Sequence, residues 1–210
     1  MSTFRAALRG TSWALVAQVV IGVGQVANSA LTARIFSPRA FGEFTAAVSL
    51  HGLIVLCATG ISSFVLKEPR LHRAQVRAIN LVVFAVAFPS ATVFWFVSPV
   101  WLAWLNSPGG TEFVPLLTCA TFAAPIGAVQ SALLRREGDG RADATAYVVA
   151  FIVATGLGAA CAILLRESWT LALAITVNPM ILAALARVLR RTIYPVEHSR
   201  LEFDWLRFAL

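Results

Sequence analysis

Residues 32–44 read TARIFSPRAFGEF and separate two apolar runs of membrane length. About twenty mostly apolar residues precede this stretch and about twenty follow it, which is the length that a helix needs to cross the hydrocarbon core of a bilayer. Ser37-Pro38 favours a turn between the two runs, and Gly42 permits close packing where the second run begins. The stretch therefore predicts two membrane helices joined by a tight turn, and this turn carries Arg34 and Arg39.

The whole composition is that of an integral membrane protein. Of the 210 residues, 59% are hydrophobic and 13% are charged, whereas a soluble domain averages about 45–50% apolar and about 25% charged residues. The apolar runs are continuous rather than alternating, and lipid offers no water to unpaired backbone groups, so the runs are predicted to be helices. The predicted fold class is all-α, a bundle of six transmembrane helices. The six predicted spans are residues 11–33, 41–66, 77–97, 113–134, 144–165 and 169–188.

Lysine and arginine are distributed unevenly between the two predicted sides of the membrane. With a cytoplasmic N-terminus, fourteen of the 17 fall on the cytoplasmic side, as the positive-inside rule expects. The net charge of +7 is explained by this topology, and no nucleic-acid partner is expected. Two arginines ahead of the first span would also suit a signal peptide, but the span is longer than a signal core and contains polar amides.

Two regions outside the spans carry predictions of their own. The third apolar run continues past Pro99 to Leu105, which is too long for one span, so a short interfacial segment is predicted there. Residues 1–191 are expected to form the membrane bundle. Residues 192–210 are expected to form a cytoplasmic linker that opens a further apolar helix at Trp205, as if a continuation were missing.

One face of the first predicted helix is polar. Its side chains follow at intervals of three and four residues, so that they share a stripe that will not face lipid. Such a stripe serves either packing between helices or the wall of a polar cavity, and the sequence leaves both interpretations open. The stripe comprises Gln18, Gly22, Gln25, Ser29 and Thr32, with Asn28 at its border.

Further polar residues lie within or beside the predicted spans. His51 would either take part in proton coupling or bind a neighbouring helix as a neutral ring, and Glu43, at the beginning of the second span, is the one acidic residue inside a predicted span. Arg34, in the turn, would either form an anion site through its planar fork of donors or contact lipid headgroups. Asn80, Gln130 and Asn178 are predicted to serve packing.

Signatures of catalysis are lacking in the sequence. It contains no HExxH, GxSxG or P-loop pattern, and its three cysteines lie inside apolar runs without metal-ligand spacing. The chain is therefore expected to be no enzyme and to use no metal or cofactor.

Several motifs are shared with a known family. Ala33-Arg34, Ser37-Pro38, Phe41-Gly42 and Phe44 form a turn pattern, Arg9-Gly10-Thr11-Ser12-Trp13 opens the first helix, and Pro125 precedes Ala132-Leu133-Leu134-Arg135-Arg136. Together they resemble the polysaccharide flippases of the multidrug/oligosaccharidyl-lipid/polysaccharide exporter superfamily. The resemblance implies two six-helix bundles around a central cavity, of which this chain would supply the N-terminal one. It would pair with a second half or with a second copy.

The resemblance also implies a function. A polyprenyl-diphosphate-linked oligosaccharide would be moved across a bacterial inner membrane by alternating access. Arg34 would attract the diphosphate, whereas Gln18, Gln25, Asn28 and Ser29 would line the sugar path, with His51 a further candidate for substrate binding. Two alternatives are a cation-coupled exporter of small amphipathic molecules that depends on His51, and a non-transporting scaffold subunit of glycan synthesis.

Overall fold

Long helices account for nearly all of the computed structural model, which describes residues 2–58, 60–67, 73–136 and 140–193. No strand occurs within these ranges, and a 3-10 turn at Pro108–Phe113 is the principal element besides α-helix. The helices are α1 (Ser2–Ile35), α2 (Pro38–Ala58), α3 (Gly60–Lys67), α4 (Arg73–Trp104), α5 (Val114–Arg136), α6 (Gly140–Leu165) and α7 (Thr170–Ile193).

Six stretches of helix in the described part are long and apolar enough to cross a membrane. They confirm the predicted all-α bundle and its six spans, with boundaries shifted by a few residues at most ends because helices begin in the polar flanks. These spans are Ser12–Ile35, Pro38–Ser63, Gln75–Trp104, Pro108–Arg136, Gly140–Leu165 and Thr170–Arg190.

Helix α5 is the centre of the bundle and α1 lies at its edge. Half of the α5 span is buried, against 6% of the α1 span, and α5 packs mainly against α7, α4, α3 and α2. Small residues on α5 allow this close approach. At Gly127 a Cβ atom would lie 2.9 Å from the carbonyl oxygen of Pro179 on α7, so the two backbones meet where only hydrogen fits. Helix α1 packs along α6.

The connections between helices divide the bundle into two ends. We call the end with the α1–α2, α4–α5 and α6–α7 connections the arginine-poor end, and the opposite one the arginine-rich end. A buried apolar cluster fills the arginine-poor end and includes Phe94, Leu102, Phe113 and Leu117. Two smaller buried apolar clusters lie elsewhere in the bundle. One is around Val65, Val83 and Leu133, and the other is around Leu134 and Leu182.

Helix α4 continues without interruption past Pro99, through residues that the sequence assigned to a separate interfacial segment. The helix continues to Trp104, because tertiary contacts hold the extra turn. The indole Nε1 of Trp101 donates to the carbonyl oxygen of Ala46 on α2 at 3.1 Å, and Leu102 is fully buried. Asn106, two residues beyond the end of the helix, caps it: its left-handed φ of 52° places the Ser107 N–H 2.9 Å from the Leu102 carbonyl.

Asp143 is the one acidic side chain buried inside a span among the described residues, although the sequence placed it just outside the predicted span. Helix α6 begins at Gly140, four residues ahead of the predicted edge, so Asp143 is part of its first turn and is buried. Ser131 donates to its Oδ1 at 2.5 Å, and Nε of Arg135 donates to its Oδ2 at 2.9 Å. Burial of the carboxylate is tolerated because it is paired and because a helix N-terminus favours negative charge.

The predicted linker, residues 192–210, and the further apolar helix predicted at Trp205 fall almost entirely outside the described residues. Helix α7 extends to Ile193, and the rest of the tail, with Trp205, lies outside the described residues.

Candidate functional site

A cavity of about 350 Å³ lies between α1, α6, α7 and the beginning of α2. Its wall combines polar side chains with aromatic rings, and no charged side chain of the described residues lines it. The polar lining consists of Gln25, Asn28, Ser29 and Thr32 from α1, Thr155 from α6, and Thr170 and Asn178 from α7. The rings are those of Phe41, Phe44 and Phe151.

Tight contacts of α6 with α1 on one side and with α7 on the other fix the position of the cavity. Gly24 of α1 faces the ring of Phe151 so closely that a Cβ atom would overlap the ring. At Gly158 a Cβ atom would lie 3.1 Å from the Cβ of Ala174 on α7. Because glycine brings α6 close to α1 and to α7, the short polar side chains between these contacts face one another across a gap.

The C-terminal part of the polar stripe of α1 lines this cavity, and its N-terminal part does not. Gln25, Asn28 and Ser29 are among its lining residues, together with Thr32. Gln18 lies two turns earlier and is exposed outside the cavity. The structure therefore brings together three of the six residues that the sequence proposed for substrate binding.

The amides in the cavity are not engaged with the rest of the described protein. The side chains of Gln25 and Asn28 make no hydrogen bond to any described residue. The Oδ1 atom of Asn178 is buried and has no partner among the described residues. Elsewhere in the bundle two amides do pair with each other: Nε2 of Gln130 donates to Oδ1 of Asn80 at 3.0 Å.

Arg34 does not belong to this cavity. It follows Thr32 by two residues, about 200° around the helix axis, and therefore lies on the other flank of α1. There it lines a separate pocket of about 220 Å³ with Ile35, Ile163 and Arg166.

His51 lies apart from both pockets. It is buried between α2, α4 and α5, with its Nδ1 atom 2.8 Å from Oγ1 of Thr121 and its ring edge-on to Phe94 at 6.1 Å. His51 therefore contacts two neighbouring helices, and the contacts do not distinguish proton coupling from a purely packing role.

Sequence reasoning missed part of the cavity wall. The sequence predicts that Asn178 serves packing, and its unpartnered oxygen is visible only in the fold. Thr155, Thr170 and the three phenylalanines carry no signal in the sequence, because threonine and phenylalanine are common on any membrane helix. Within the described residues no three His, Cys, Asp or Glu side chains group as metal ligands.

Comparison with known proteins gives one match. A family model described as "Polysaccharide biosynthesis protein" matches residues 31–205. No curated protein and no solved structure matches the chain. The matched region includes Asn178 and the aromatic side of the cavity but begins after Gln25, Asn28 and Ser29.

Proposed function

Because this chain belongs to the polysaccharide biosynthesis protein family, we propose that it translocates a polyprenyl-diphosphate-linked oligosaccharide across the membrane. The cavity between α1, α6 and α7 would hold part of the sugar during alternating access. In this proposal the chain is a transporter rather than an enzyme, and it needs no cofactor.

The unengaged amides of the cavity carry the proposal. An amide left without a partner inside a membrane protein is costly, so Gln25, Asn28 and Asn178 are best explained by a ligand that supplies both donors and acceptors. Sugar hydroxyls do so without charge, and each amide can donate to one hydroxyl and accept from another. A drug-like cation would favour an acidic side chain, and none lines the cavity among the described residues.

The aromatic side of the cavity suits the same ligand. Phe41 and Phe44 at the start of α2 and Phe151 on α6 present apolar rings opposite the amides. A sugar ring has an apolar face of C–H groups and a polar rim of hydroxyls, so it matches a wall with one aromatic and one polar side. The volume of about 350 Å³ lies within the usual range for small-ligand pockets, about 300–1,000 Å³, and suits a portion of an oligosaccharide.

We further propose that a second bundle completes the transport path. Gln25 and Ser29 line the cavity and are nevertheless exposed at the surface of this chain, where lipid would be an unfavourable neighbour. A second six-helix half, or a second copy of this chain, would cover them. The charge distribution supports a cytoplasmic N-terminus, with the arginine-rich end at the cytoplasmic face of a bacterial inner membrane.

The test is glycan export in a strain that depends on this chain. The double variant Gln25→Ala/Asn178→Ala should reduce export about tenfold, since each lost hydrogen bond contributes about 0.5–1.5 kcal/mol. Gln18→Ala is the matched control, because Gln18 is an amide on the same helix outside the cavity. The proposal fails if the double variant is present in the membrane at normal amounts and exports normally.

Two further measurements separate the alternatives. A non-transporting scaffold predicts that a cysteine at position 25 is sealed from water-soluble maleimide in the assembled protein, whereas a transport cavity predicts labelling that added substrate slows. A cation-coupled exporter predicts that deletion causes drug sensitivity and that His51→Ala abolishes efflux.

A further inference from the structure

Two arginines meet at the arginine-poor end of the contact between α1 and α6. Arg34 lies in the last turn of α1 and Arg166 directly follows α6, and both line a pocket of about 220 Å³ whose other walls are Ile35 and Ile163. We propose that this pocket binds the phosphate group of a membrane lipid. The site is distinct from the cavity, so the proposal goes beyond the transport function and does not depend on it.

The charges of the two arginines are not compensated within the described protein. Neither guanidinium forms an ion pair or a hydrogen bond with a described residue, whereas the nearby Arg39 pairs with Glu43 at 3.1 Å. Two cations that share one pocket repel each other, and an anion between them removes this repulsion. Guanidinium groups bind phosphate oxygens through paired N–H donors, so phosphate is the anion that suits the pair best.

Arg166 occupies a backbone conformation that glycine adopts more easily than arginine does. Its φ of 56° is left-handed, and its N–H donates to the Ala162 carbonyl at 3.1 Å in the αL capping motif. Glycine is the residue that this position favours. The corresponding position after α4 is Asn106, a residue that tolerates this conformation. A helix C-terminus favours a cation, but that preference requires neither a left-handed arginine nor a second arginine in the same pocket.

The walls of the pocket indicate that the phosphate belongs to a lipid. Ile163 is 52% exposed and the neighbouring Leu164 is 80% exposed on a helix that spans the membrane, so acyl chains would lie against them. A lipid can place its phosphate between the guanidiniums and its chains along these residues. Such a lipid would also hold α1, whose membrane span is only 6% buried, against the end of α6.

Native mass spectrometry of the full chain in neutral detergent tests the site, with dioleoylphosphatidylglycerol as the probe. The wild type should bind this lipid at least about tenfold more tightly than dioleoylglycerol, which has the same chains and no phosphate. Arg34→Gln and Arg166→Gly should each weaken binding about tenfold, the effect of about 1.4 kcal/mol. Arg39→Gln is the matched control, an exposed arginine at the same end, and should keep the wild-type affinity.

Arg166→Gly is suited to the test because glycine fits the left-handed backbone, so the variant should unfold at the wild-type temperature or above it without lipid. Binding of phosphatidylglycerol by Arg166→Gly at wild-type affinity would overturn the proposal. Inorganic phosphate that binds as tightly as the lipid would overturn the lipid assignment and leave a site for a free anion. Loss of lipid binding in Arg166→Gly with normal glycan export would uphold this site, and the cavity variants would test transport separately.

Discussion

The hydroxyl oxygen of Thr121 on α5 lies 2.8 Å from Nδ1 of His51 on α2, and both side chains are buried. The same hydroxyl lies 2.7 Å from the carbonyl oxygen of Leu117, one turn earlier. A hydroxyl has one proton to donate, and the carbonyl can only accept, so the proton of Thr121 goes to Leu117. His51 must then donate from Nδ1, and this assigns a proton to that nitrogen.

Thr121→Val should therefore destabilise the protein. The substitution keeps the shape of the side chain but leaves the buried Nδ1–H of His51 without an acceptor, at a cost of about 1–2 kcal/mol. Thr121→Ser keeps the hydroxyl and should retain most of the stability. Unfolding by increasing fractions of sodium dodecyl sulfate, followed by circular dichroism, measures both. Equal stability of the valine variant and the wild type would mean that the bond contributes nothing.

Gly127→Ala should weaken the contact between α5 and α7. The added Cβ would lie 2.9 Å from the carbonyl oxygen of Pro179, and because that atom is backbone the helices must separate, at a cost of about 1–3 kcal/mol. Gly156→Ala is the control, since a Cβ there meets no atom within 4 Å, and it should be neutral or slightly stabilising. The same unfolding assay compares the two, and similar losses for both would refute the role of close backbone approach.

Asn178→Leu should separate stability from function. The leucine removes a buried oxygen that has no partner among the described residues, so the free energy of unfolding should be unchanged or raised, while glycan export falls. Gln130→Leu should instead lower the free energy of unfolding by about 1–2 kcal/mol, because it leaves Oδ1 of Asn80 unpaired. A marked loss of stability in Asn178→Leu would show that this amide serves packing.

Arg135→Ala should destabilise the arginine-rich end. It leaves the buried carboxylate of Asp143 with Ser131 as its remaining partner at 2.5 Å. Arg135 is itself about half exposed, so water compensates in part and the loss should be about 1–2 kcal/mol. In the double variant Arg135→Ala/Asp143→Asn the neutral amide needs no counter-charge, and part of the loss should be recovered. Arg187→Ala, an exposed arginine on α7, is the control and should have little effect in the unfolding assay.

Most of the fold could be predicted from the sequence, because a membrane imposes a simple length rule. An apolar run of about twenty residues must form a helix to satisfy its backbone in lipid, and the six runs of this chain do so. The errors fell at the ends of spans. The third span was predicted to end at residue 97, but contacts of Trp101 and Leu102 with other parts of the bundle keep α4 helical to Trp104. Asp143 stood one residue outside a predicted span, and its pairing with Arg135 allows it to be buried.

The candidate site was predicted only as far as one helix can show it. The spacing of Gln25, Asn28 and Ser29 gives a polar face by helical geometry alone, and that face does line a cavity. Which polar faces meet depends on how the helices are arranged. Asn178 is on a helix more than a hundred residues away in sequence, and its role is visible only from its missing partner.

The sequence by itself determined that the chain is a six-span membrane bundle and that α1 has a polar stripe, since both follow from periodicity and hydropathy within single helices. Only the tertiary structure decided that Arg34 lies with Arg166 rather than with the cavity, and that His51 binds Thr121. The reason is physical. Within a helix the direction of a side chain is fixed by its position, at about 100° per residue. Its neighbour is set by packing between helices at positions such as Gly24, Gly127 and Gly158.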